Sequence, residues 1–309
     1  MSGLPERIGS RLRLPLIVAP MLYVSGPELV AAACEAGAIG AFPTANPGTA
    51  EELDRWLSEI EDAAGTSSAP HCPNLIVRDP RLAEHLEVVA AHRVEMAIAS
   101  VGSPAPVIGP LHDAGTLVLA DVATLEHARK AVAAGADGLV LLTAGAGGQT
   151  GWMNPFAFTR AVRTFFDGPL ALAGGISDGH ALRAALELGA DLAYMGTRFI
   201  ASRESMAADD YKAMLVDSSL DDVVLTPAFT GLPASILAPS IRAAGLDPDN
   251  LDDSITPDGA AALYGVRSPG AGPRRWTDIR SAGHSVSGVD RIEPAAEIVA
   301  RTRAEYLGS

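Results

Sequence analysis

Eight short apolar runs rich in Val, Ile and Leu recur between residues 14 and 195, separated by amphipathic stretches that close near an AG or LG pair. The runs at 14–21, 38–43, 73–77, 94–101, 116–122, 138–143, 169–173 and 192–195 read as strands. The intervening segments at 27–36, 50–64, 81–92, 107–114, 125–134, 155–166 and 181–188 read as helices, the first stopped by Gly37. Continuous apolar strands suit a sheet buried on both faces, as parallel sheets are. Eight strand–helix units in about 200 residues predict an α/β fold, a closed (β/α)8 TIM barrel, over a doubly wound open sheet.

The rhythm breaks at 201–265, where two helical stretches, 206–216 and 236–244, lie among turn signals such as LDPDN. This segment is expected to be a helical insertion covering one barrel mouth. The tail at 293–306 returns to helix, and residues 1–309 read as one domain. The formal net charge of -14 argues against nucleic acid and anionic membrane as partners. No apolar run approaches the roughly 18 residues of a membrane span. Two cysteines, Cys34 and Cys72, make no disulfide framework, and the opening residues lack a secretory apolar core, so a cytoplasmic location is expected. A homodimer is left open.

In such barrels the site lies at the C-terminal strand ends. After the sixth strand comes AGAGGQTG (144–151), with four glycines in eight residues. Such a loop brings backbone close to a flat ligand, although an ordinary flexible loop would read alike. It is neither a dinucleotide fingerprint, since Thr150 replaces the third glycine, nor a P-loop, since no Lys follows. Gly174 and Gly175 follow strand seven, and Gly196 and Thr197 follow strand eight. Loops seven and eight are the usual phosphate cradle of this architecture. Asp178 reads as a helix cap. Pro20 and Met21 end strand one, and Asn74 is a polar residue inside an apolar strand. Its amide would meet a ring edge or merely neighbouring backbone. Ser100 and Asp121 end strands four and five. The histidines at 85, 92, 112, 127 and 180 fall on expected helices and read as solvated. No histidine has metal-ligand spacing, so no metal is expected.

APM (19–21), NLIV (74–77), AGAGGQTG (144–151), LAGGISDG (172–179), LGADLAYMGTRFIA (188–201) and WTDIRSAG (276–283) together resemble the nitronate monooxygenase family, also called 2-nitropropane dioxygenase-like. The resemblance spans nearly the whole chain. It implies a non-covalent FMN with Met21 and Asn74 against the ring, and Ala146, Gly147 and Gly148 along one side. Gly174, Gly175, Met195, Gly196 and Thr197 would hold the phosphate, and Pro20 and Asp121 join the flavin set. Many members carry His where this chain has Gln149. A carboxamide cannot act as a base near neutral pH but can donate a hydrogen bond. His284, after Ser281, Ala282 and Gly283, is the candidate to supply the missing proton chemistry if its loop folds over the ring, with Ser281 beside it; a surface histidine is the plainer reading.

The implied activity is oxidation of a small nitronate or similar carbanion, with O2 as electron acceptor. The rival on the same scaffold is an NAD(P)H-dependent reductase of quinones or other acceptors. A barrel that binds a phosphate ligand without redox chemistry is a third reading.

Overall fold

The computed structural model describes residues 3–265 and 272–308. In chain order the strands are β1 (Leu16–Val18), β2 (Ile39–Pro43), β3 (His71–Ile76), β4 (Met96–Ser100), β5 (Leu117–Val122), β6 (Gly138–Leu142), β7 (Gly148–Gln149), β8 (Leu170–Ala173) and β9 (Leu192–Met195), followed by β10 (Val223–Thr226) and β11 (Ala234–Leu237). All but β7, β10 and β11 pair in parallel and close into an eight-stranded barrel. The closing seam sets Ile17 against Tyr194 and Val18 against Met195.

The pleat sorts each strand into two layers, because successive side chains point to opposite faces. Ile17, Ile39, Cys72, Ile98, Leu119, Val140, Ala171 and Leu192 fill the barrel interior. Leu4 and Ile8, beside and on the short helix Glu6–Gly9, plug its lower end. There the Gly3 N–H donates to Asp191, the residue before β9, at 3.2 Å. The alternate residues, among them Leu16, Val18, Leu75, Val118, Leu139, Leu170 and Met195, pack outward against the helices. Removing one such fully buried Leu side chain costs about 2–5 kcal/mol.

Helix starts follow local chemistry. Thr49, Thr124, Asn154 and Asp178 each accept a backbone N–H of the helix they precede. Asp178 receives Ala181 N–H at 2.8 Å, and such caps contribute about 1 kcal/mol each. His85 departs from the solvated reading: it is buried, with Nδ1 at 3.1 Å from the Thr44 hydroxyl.

The segment after β9 carries the two expected helices, as Asp209–Val216 and Ala238–Ala243, and two that the sequence reading lacks, Thr197–Ile200 and Pro257–Tyr264. It also carries two strands that the sequence reading lacks. β10 and β11 form an antiparallel hairpin, and β11 pairs with β7 through Ala234–Gln149 and Ser235–Gly148. The helix expected over 236–244 therefore begins two residues late, because the first two residues belong to β11. Arg198 is buried against Glu293 at 2.6 Å and reaches Asp290 at 3.1 Å, which ties the chain after β9 to the segment leading into the C-terminal helix Ala295–Leu307. Among the described residues no helix is long and apolar enough to cross a membrane.

Candidate active site

One cavity of about 1470 Å³ opens at the C-terminal ends of the barrel strands. Its floor is set by the pleat. Asn74, Ser100, Asp121 and Tyr194 share the inward face with the apolar interior layer, one step nearer the mouth, and all four line the cavity. Asn74 Oδ1, Ser100 Oγ and Asp121 Oδ1 are buried without a hydrogen-bond partner among the described residues. Three unsatisfied polar atoms in one cavity are unusual in a protein interior, where nearly all such groups are paired. The backbone of Asn74 is already occupied: its carbonyl accepts from Thr44 N–H at 2.9 Å and from the Thr44 hydroxyl at 3.2 Å. Burial pushes the Asp121 carboxyl up to about 7. Tyr194 is raised by burial first, then by the charge of Asp121 and of Cys72.

The wall is built where distant segments of the chain meet. Gly148 N–H donates to the Ser281 hydroxyl at 2.6 Å, and that hydroxyl donates to the Ser235 carbonyl at 2.7 Å. His284 N–H donates to the Gly145 carbonyl at 2.9 Å, and Gly283 N–H to the Thr197 hydroxyl at 2.9 Å. The Tyr211 hydroxyl donates to the Ser281 carbonyl. The approach requires glycine: a Cβ on Gly283 would stand 2.5 Å from the Gly145 oxygen.

One corner of the cavity is formed by Gly174, Gly175, Gly196 and Thr197. Gly175 has φ +71° and open space where a Cβ would project, so a side chain there would enter this corner. Two non-glycine residues at the rim, Val101 (φ 55°) and Trp276 (φ 70°), hold left-handed backbone. Such strain costs on the order of 1–3 kcal/mol per residue and gathers at functional sites.

Of the residues expected to serve the site, Pro20, Met21, Asn74, Asp121, Ala146, Gly147, Gly148, Gln149, Gly174, Gly175, Gly196, Thr197 and Ser281 line this one cavity. Two do not. Met195 alternates with the inward Tyr194, and its side chain packs in the outer layer with the helices. His284 is exposed, and its imidazole lies against Gly145 rather than on the cavity lining. Ser281 lines the cavity, but its hydroxyl already accepts and donates within the wall. Tyr194 was missed. The signal was present, since Leu192 and Tyr194 occupy alternate positions of LAYM and a strand places them on one face.

Residues 77–250 match the sequence model of the nitronate monooxygenase family. A nitronate monooxygenase of Paraburkholderia phytofirmans is 29% identical over 352 residues, covering 96% of this chain and 93% of that protein. The (3aS,4S,5R,7aS)-5-hydroxy-7a-methyl-1-oxo-octahydro-1H-indene-4-carboxyl-CoA dehydrogenase of Mycobacterium tuberculosis is 30% identical over 240 residues, covering 76% of this chain. The chain spans 65% of the length of that dehydrogenase and of its Rhodococcus jostii counterpart. The crystal structure of nitroalkane oxidase from Streptomyces ansochromogenes superposes with a TM-score of 0.82 and 28% identity, covering 98% of both chains.

Proposed function

The chain belongs to the nitronate monooxygenase family and is an oxidoreductase, and on that premise we propose that it holds one FMN in the barrel-mouth cavity and oxidises a nitronate or similar stabilised carbanion, with O2 as electron acceptor. The observation that carries the reading is the set of orphaned polar atoms on Asn74, Ser100 and Asp121, lying in the same cavity as a glycine wall. A flat heterocycle whose edge carries N–H and C=O groups satisfies them, and the glycines admit its faces. The open corner at Gly175, with Gly174, Gly196 and Thr197, takes the phosphate. FMN, when bound, supplies the two-electron acceptor.

The residues around it bind and orient rather than move protons. Gln149 lines the cavity, and its amide N–H donates to a nitronate oxygen without being able to remove a proton from carbon. The substrate is therefore one that arrives already as an anion. The Ser281 hydroxyl holds the wall, and His284 stands outside.

A second reading is favoured by size. A cavity of about 1470 Å³ exceeds the roughly 300–1,000 Å³ of a typical small-molecule pocket. FMN and a small nitronate leave room, whereas FMN with NAD(P)H or a quinone uses it. Anaerobic mixing of the flavin-loaded protein with a nitronate, NADH or NADPH separates the two. Bleaching by the nitronate alone supports the oxidase, and bleaching by NADH or NADPH alone supports the reductase. A protein that takes up no flavin contradicts both.

A further inference from the structure

Asp121, one residue before the end of β5, lies beside Ser100 at the end of β4, one step beyond the Ala99–Ala120 pair. One oxygen of each lacks a partner among the described residues. The titratable groups that face Asp121 are Cys72 of β3 and Tyr194 of β9, both themselves weak acids. Arg78, His127, Lys130 and Arg275 line the same large cavity, yet none forms an ion pair with Asp121. Among the described residues no cation pairs with the carboxyl and burial is what acts on it, and an uncompensated buried carboxylate gives way to its neutral form.

Resting on the flavin reading above, we propose that Asp121 is a neutral carboxylic acid in the working enzyme and, with Ser100, donates hydrogen bonds to acceptor atoms on the edge of the bound flavin ring. A neutral donor suits both redox states. Before electron uptake it pairs with a ring acceptor. Afterwards it faces added negative charge without repelling it, which an ionised carboxylate would do. The two electrons come from the substrate, and the Asp121 proton stays on its carboxyl within the hydrogen bond, so no proton leaves this site. Burial alone places the ionisation of Asp121 near 7. The donor is therefore present on the acid side of neutrality and lost on the alkaline side.

The test is FMN affinity of the flavin-free chain from about pH 5 to about pH 9, for the wild type and Asp121→Asn, which keeps an N–H donor at every pH. Wild-type binding is expected to weaken roughly tenfold across neutrality, about 1.4 kcal/mol, and D121N to stay flat. Isotope-edited infrared spectra of the flavin-free wild type are expected to show a protonated carboxyl band at mildly acid pH that D121N lacks. That measurement does not require the variant to bind flavin. A flat wild-type profile, a D121N profile with the wild-type slope, or absence of the band overturns the inference while leaving FMN binding intact. If no protein binds FMN at any pH, the flavin reading itself falls, and this inference with it.

Discussion

The Ser281 hydroxyl accepts the Gly148 amide at 2.6 Å, although 133 residues separate the two in the chain. Its own proton goes to Ser235 of β11, so one side chain fastens the glycine wall to the hairpin that follows the barrel. Ser281→Ala leaves a part-buried N–H without its partner, a loss of about 1–3 kcal/mol. The expected result is a comparable fall in urea stability with FMN bound roughly tenfold more weakly. If the variant instead binds FMN normally and loses turnover alone, Ser281 is an acid or base and the clamp assignment is wrong.

Gln149 lines the cavity, and in the proposed function it meets the substrate as a hydrogen-bond donor and not as a base. Gln149→His is expected to add oxidation of neutral nitroalkanes, while the rate on preformed nitronates changes by no more than a few-fold. His284→Ala, altering an exposed ring that does not line the cavity, is expected to leave both rates within about twofold, because the residue holds the wall through its backbone N–H, which the substitution keeps. Steady-state oxygen consumption with each substrate form reads out both.

Gly175 combines φ +71° with open space at the Cβ position. Valine there pays left-handed backbone strain of roughly 1–2 kcal/mol and places methyl groups in the corner assigned to phosphate. Gly175→Val is expected to bind FMN at least about tenfold more weakly, a loss beyond that which the strain produces in urea unfolding of the flavin-free chain. Equal affinity in variant and wild type removes the phosphate from this corner.

Asp121 sets a pH dependence of stability. Burial raises its folded value from 3.8 to about 7, so the folded chain binds the proton more tightly than the unfolded one. The stabilising contribution is full below the unfolded value and is lost as pH rises through the folded one. The difference corresponds to roughly 4 kcal/mol at most. Flavin-free Asp121→Asn is therefore expected to match the wild type near pH 4 and to exceed it in urea stability near pH 8. The reverse order at alkaline pH would mean a paired, ionised Asp121.

The barrel was legible because its strands are buried on both faces and read as unbroken apolar runs from Leu16 to Met195. The site was legible where glycine or a polar residue interrupts that pattern, as at Asn74 and Gly175. Strand alternation decides the rest: neighbouring residues face opposite ways, which puts Tyr194 in the cavity and Met195 among the helices. The β7–β11–β10 sheet was not legible. β7 is two residues long and joins β11 across some 85 residues of chain, so its pairing lies in tertiary context rather than in any local period. His85 looked solvated on its helix for the same reason, since its partner Thr44 follows a different strand.

In the proposed function the strand-end cavity takes one FMN through its glycine corner and its polar floor. Equilibrium titration of the flavin-free chain with FMN, followed by quenching of flavin fluorescence, tests it most directly. Saturation is expected at one FMN per chain, with affinity lowered by Gly175→Val. Absence of saturable binding, or binding that Gly175→Val leaves unchanged, would contradict it.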